Sequence, residues 1–130
     1  RPRTRILPEL KVPTLIACGD RVHVPSFRLD VDARSHFKPI KLAWLGCTEP
    51  PDALHILQSR LRAEIERAGF TLDDVPFEPH ITLARGCTLF PAPRAVPHVD
   101  WHVESFVLVD SHQTPAGPLY RVLKFWTLDP

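Results

Sequence analysis

A chain of 130 residues is long enough for one domain with one real core, since a domain of this size buries roughly two thirds of the surface its unfolded form exposes. Hydrophobic residues make up 44% and charged residues 24%, the balance of a soluble globular protein and not of a disordered one. With 16 Lys+Arg against 15 Asp+Glu the formal net charge is +1, so no global field draws the protein onto long nucleic acid and any such contact should be local.

No apolar run approaches the roughly 18 residues of a membrane-crossing helix, and the start lacks the charged-then-apolar pattern of a signal peptide. A cytoplasmic location is therefore expected. Cys18, Cys47 and Cys87 are widely spaced and form no C-x-x-C pair, so they read as small hydrophobes and not as a disulfide framework or a zinc site. There is no methionine, so the sequence does not open on an initiator residue and an upstream segment is expected. Arg1, Arg3 and Arg5, with Pro2 between them, read as a solvated stub.

Residues 6 to 17, ILPELKVPTLIA, carry apolar positions at helical spacing, but Pro13 falls among them, so a short helix is expected to end before it. After Pro25, Phe27, Leu29 and Val31 alternate with Arg28, Asp30 and Asp32, the period of a strand with one face buried. Ile40, Leu42 and Trp44 share one parity in a run that closes on Gly46 and Cys47, which predicts an adjoining strand joined through Ser35 to Pro39 as a hairpin. From Pro51 to Gly69, Leu54, Leu57, Leu61, Ile65 and Ala68 form one helical stripe. Thr48, Pro50 and Pro51 mark its start and Gly69 its stop, while Arg60, Arg62, Glu64 and Glu66 read as a solvated face.

Three more strands are predicted: HITLARG from His80, HVESFVLVDS from His102 and LYRVLKFWTL from Leu119, the last two separated by the turn-rich QTPAG. The order strand, strand, helix, strand, strand, strand is α+β with largely antiparallel pairing. With only 5 glycines, neither G-x-G-x-x-G nor a P-loop can be written, and no cofactor is expected. A zinc site is not expected either: His98 and His102 have only Asp100 beside them, and tetrahedral sites need three or four ligands.

The sharpest local pattern is FEPHITLAR, Phe77 to Arg85. Strand alternation projects His80 and Thr82 from one face and sends Ile81 and Leu83 into the core. An imidazole exchanges protons near neutral pH, a neighbouring hydroxyl hydrogen-bonds a phosphoryl oxygen, and Arg85 would neutralise phosphate charge. Arg85 has the wrong parity for that face, so it needs a bulge, a strand end or a long reach. The tripeptide alone is weak evidence, because His112-Gln113-Thr114 repeats it; there Pro115 and Gly117 follow, which predicts a turn without the rigidity of a site.

PHITLAR resembles the second signature motif of the two-histidine (2H) phosphoesterases, in particular the bacterial LigT-like branch of 2'-5' RNA ligases or RNA 2',3'-cyclic phosphodiesterases. Phe37-Lys38-Pro39, Trp44-Leu45-Gly46, the helix to Gly69, Pro79 to Arg85, and then Ser111, Gly117, Tyr120 and Trp126-Thr127-Leu128 follow the order of that branch. The resemblance covers about residue 25 to the end. It implies a bilobal α+β fold with largely antiparallel sheets and flanking helices, in which two His-x-Thr strands face each other across a cleft. His80 then maps to the second catalytic histidine, Thr82 to its phosphate-binding partner and Arg85 to the basic residue after the motif.

Residues 1 to 36 lack the first His-x-Thr, since His23 is followed by Val24-Pro25 and His36 by Phe37-Lys38. The expectation is one 2H domain over residues 1–130 with its N-terminal part missing. The resemblance further implies a metal-independent hydrolase that opens RNA 2',3'-cyclic phosphate ends to 2'-phosphates, with possible 2'-5' ligation in reverse; nothing in the sequence resembles an interface motif, so a monomer is expected while the oligomeric state stays open. The alternative is a noncatalytic module that binds cyclic-phosphate or 2'-phosphate termini. Phe37 is suited either to stacking a base or to the core.

Overall fold

The computed structural model describes residues 11–37, 41–86 and 94–130. The arginine-rich start, most of the helix expected before Pro13, Lys38 to Ile40 and Cys87 lie outside the described residues. Helix α1 runs Val12–Asp20, and Pro13 opens it instead of ending one. At the first turn a missing N–H costs nothing, because that donor would have no intrahelical acceptor. The remaining elements are β1 (Phe27–Phe37), β2 (Leu42–Gly46), α2 (Asp52–Arg67), β3 (His80–Arg85), β4 (Arg94–Val103), β5 (Ser105–Thr114) and β6 (Gly117–Thr127). No helix among the described residues is long and apolar enough to cross a membrane.

The chain forms two compact units. The first, built from Phe27–His55 and Asp73–Val103, holds an antiparallel sheet in the order β3-β2-β1-β4. On β1 the alternation read from sequence is realised: Phe27, Leu29 and Val31 are buried and Arg28 and Asp30 exposed. The polar face is knitted to β4, with Arg28 Nη1 3.0 Å from Asp100 Oδ2 and His98 Nε2 4.0 Å from Asp30 Oδ1.

Strand β4 was not legible in the sequence, and Pro97 explains why. A proline cannot donate to a ladder, so it argues against a strand; it is tolerated at edges and bulges. β4 is an edge strand, and its register jumps from Val31↔Val99 to Ala33↔Ala95, leaving three residues including Pro97 opposite Asp32 alone. The single strand expected from His102 is two strands in different sheets, broken at Glu104 with no glycine or proline to mark the break.

The second unit takes the described residues from 11 to Ser26, then Ile56–Leu72 and Glu104–Pro130. Strands β5 and β6 form an antiparallel hairpin that closes at Thr114↔Gly117. Gly117 has φ +114°, a conformation costly to any residue with a Cβ, and Thr114 Oγ1 donates to its carbonyl at 2.6 Å. His112-Gln113-Thr114, expected in the turn, instead ends β5 and pairs with Leu119, Pro118 and Gly117. The turn needs only the two residues after Thr114, so the ladder runs to its edge. A two-stranded ribbon is marginal alone; here Trp126 stacks on Phe106 at 4.9 Å and donates from Nε1 to Asp20 Oδ1 of α1 at 2.8 Å. The chain end is tied to the segment after α1 by Ser26 N–H to the Asp129 carbonyl, 2.7 Å, and Asp129 N–H to the Val24 carbonyl, 3.0 Å. Cys18, Val22, Val24, Leu57 and Leu128 form the buried core of this unit, with Cys18 in the hydrophobic role its composition predicts.

Helix α2 carries the expected stripe, buried deepest at Leu57, and Gly69 follows its end at φ +99°. Its polar residues are not all a solvated face. Glu64 receives Arg21 Nε at 2.6 Å and Arg67 Nη1 at 2.5 Å, and Arg60 Nη1 donates to the His23 carbonyl at 3.0 Å. The hydrogen bond from Arg21, aided by the charge of Arg67, holds the Glu64 carboxyl below the usual carboxylate range against the opposing effect of burial. Because this pKa is depressed in the fold, the stability it contributes is present above the ordinary carboxylate pKa and is lost as pH falls through the lowered one. Glu64→Gln is therefore expected to lower the melting temperature at neutral pH, with the gap to the parent closing in acid. A gap that stays constant with pH would mean that packing, and not charge, is what Glu64 supplies.

Candidate active site around His80

His80 is the first residue of β3 and pairs with Gly46 of β2, while Thr82 pairs with Trp44. Opposed residues in an antiparallel ladder share a face, so His80, Thr82, Trp44 and Gly46 lie on one side, and Ser35, opposite Trp44, joins them. The bulge that Arg85 requires is present. The register steps from Trp44↔Thr82 to Ala43↔Ala84, so Leu83 is the extra residue and Arg85 pairs with Leu42, on the parity of Trp44. One inserted residue thus turns Arg85 back to the face of His80 and Thr82.

The burial of Ile81 and Leu83 expected from alternation is not found: they are 39% and 57% exposed. Among the described residues β3 is an edge strand with a neighbour on one side only, and the apolar core of this unit centres on Phe27, Leu29 and Val31 of β1. β3 is therefore shaped by what its polar residues present more than by what its apolar ones bury.

The His80 ring is fixed by a 2.8 Å contact between Nδ1 and the Glu78 carbonyl oxygen. A carbonyl can only accept, so Nδ1 carries the proton and, in the neutral ring, Nε2 carries the lone pair. Phe37 meets the imidazole edge-on at 5.4 Å and 88°, Trp44 lies 6.2 Å from it, and the two aromatic rings are 5.2 Å apart. Sequence reasoning used Trp44 only as a strand residue and left Phe37 between base stacking and core. Their meeting at His80 depends on the register of three strands. The signal was there in part, since Trp44 and Gly46 share parity.

Cys47, the residue after β2, is held above the usual thiol range by burial and then by the charges of Asp32 and Asp30, which suits a spectator and not a nucleophile. Asp32 also accepts the Thr48 N–H at 2.8 Å. Among the described residues no three His, Cys, Asp or Glu side chains gather as a metal site.

The family model of the 2'-5' RNA ligase superfamily matches residues 10–115, and the chain belongs to that family. It is 32% identical over 124 residues to the RNA 2',3'-cyclic phosphodiesterase of Escherichia coli (strain K12), covering 91% of this chain and 68% of that protein. It is 34% identical over 138 residues to the protein of the same name from Thermus thermophilus, covering 93% of this chain and 66% of that one. The crystal structure of E. coli LigT complexed with 3'-AMP matches with a TM-score of 0.82 at 29% identity, over 94% of this chain and 71% of that one. The 2H resemblance read from PHITLAR is thus borne out, as is the α+β class. The chain spans about two thirds of the length of these relatives.

Proposed function

We propose that this chain provides one catalytic half of a metal-independent phosphoesterase that opens RNA 2',3'-cyclic phosphate ends to 2'-phosphates. The observation that carries the reading is the His80 ring, anchored through Nδ1 on the Glu78 carbonyl so that Nε2 is the nitrogen that exchanges protons, on the sheet face that also holds Thr82 and Arg85. In the reaction a water oxygen bonds to phosphorus and gives up a proton, the bond from phosphorus to the 3' oxygen breaks, and that oxygen takes a proton. His80 supplies or removes one of these protons. Thr82 hydrogen-bonds a phosphoryl oxygen and Arg85 balances the charge that grows on it.

Water and leaving group stand on opposite sides of phosphorus, so a second proton-transfer group is needed. We assign it to the part of the relatives' length that has no counterpart in these residues, since the ring of His112, the other histidine in a His-x-Thr tripeptide, is engaged with Asp110 at 2.8 Å. The test is hydrolysis of a nucleoside 2',3'-cyclic phosphate with chelator present, by this chain and by a version extended upstream. Turnover in the extended protein, much slower in the chain alone, is the expected result. No turnover in either would sink the enzymatic reading and favour a module that only binds RNA ends.

A further inference from the structure

We infer that Trp44 and Phe37 are positioning residues, an aromatic wall that holds the His80 imidazole in the one orientation and tautomer in which Nδ1 donates to the Glu78 carbonyl. The structural half of this inference stands alone; its consequence for rate rests on the function proposed above. His80 is exposed at the start of an edge strand, where a single hydrogen bond leaves the ring able to turn over and exchange its two nitrogens. Phe37, edge-on at 5.4 Å, and Trp44, at 6.2 Å, limit that rotation.

Gly46 shows that the place of Trp44 is imposed. Among the glycines of the described residues positive φ belongs to Gly69, Gly86 and Gly117 and not to Gly46, so glycine is not required there by the backbone. It is required by space: a Cβ there would collide with Cζ3 of Trp44 and come within 3.2 Å of the Pro79 carbonyl oxygen. The indole thus lies across the residue that pairs with His80. Trp44 Nε1 is also buried with no acceptor, so hydrogen bonding does not choose the ring's position. An orphaned donor and a glycine kept for room are both costs, and both are explained if the ring is there to brace its neighbour.

The test uses the whole chain labelled with 15N in histidine, with the His80 signals assigned by their loss in His80→Gln. At about pH 9, well above the imidazole range, the parent should show one tautomer, protonated at Nδ1. Trp44→Ala and Gly46→Ala should show averaged nitrogens from two tautomers, and Trp44→Phe should restore the parent pattern. Phe37→Leu, a milder change, serves where a variant fails to give a folded amide spectrum. A parent tautomer that persists in the folded variants overturns the inference. In the turnover assay, Gly46→Ala should lower kcat about 10²-fold, as for a misplacement of about 1 Å, with KM within about twofold. A raised KM at unchanged kcat would make the wall a substrate contact and also overturn it. If neither the parent nor its upstream-extended version shows turnover, the proposed function fails and the nitrogen spectra still decide this inference.

Discussion

Replacing His80 by alanine is expected to slow hydrolysis of a 2',3'-cyclic nucleotide by about 10²–10⁴-fold, the range that a positioned proton-transfer group supplies. The effect should fall on kcat more than on KM, because proton transfer is realised in the transition state and contributes little to holding the substrate. The built-in control is His112→Ala. It removes a histidine from the same tripeptide, also on a strand, but one whose ring sits 2.8 Å from Asp110, with Arg121 3.5 Å from the same carboxylate oxygen. That variant should leave the rate within about twofold, as an exposed substitution of a ring already paired with a carboxylate does. Equal losses in both variants would show that the His-x-Thr pattern does not distinguish the two strands. No loss in His80→Ala would move proton transfer away from β3 altogether.

Much of this site was legible because it rests on alternation, which sequence carries directly. Parity placed His80 and Thr82 on one face, and it required a bulge, a strand end or a long reach if Arg85 was to join them; the ladder contains a bulge at Leu83. What sequence could not give is register. Phe37 and Trp44 reach His80 only because β1, β2 and β3 align Ser35 with Trp44 and Gly46 with His80, and nothing local fixes that alignment. The misreadings share a second cause. Pro13 was read as a breaker and the stretch around Pro97 was left without an element, yet one proline sits at a helix start and the other on an edge strand at an irregularity, both places where a missing N–H is harmless. Ile81 and Leu83 were assigned to the core because alternation tells which residues share a face but not whether anything covers it. The same limit hid Glu64, whose two arginine partners come from its own helix and from the residue after α1.

The largest loss of stability is expected from Trp126→Ala. The hairpin β5–β6 has two strands and gains its partner layer through this indole, which stacks on Phe106 at 4.9 Å and 14°, and reaches Asp20 of α1 through Nε1 at 2.8 Å. Its six-membered ring also occupies the space where a Cβ on Gly19 would stand, so helix and strand approach as closely as a glycine allows. Truncating a tryptophan in a core costs about 3–5 kcal/mol. Trp126 is half-buried, which places the expected loss near the lower end, about 3 kcal/mol. For a domain of this size that is a fall of about 10 °C in Tm. Trp126→Phe separates the contributions: it keeps the stack and loses the hydrogen bond, with an expected cost of about 1 kcal/mol. Gly19→Ala approaches the same contact from the helix side and should cost about 1–3 kcal/mol by overpacking. Thermal melts of the three variants check the scheme. A Trp126→Ala melt within about 2 °C of the parent would mean that the hairpin is held by its other contacts, such as the bridge between Pro25 and Asp129, and that the indole is dispensable.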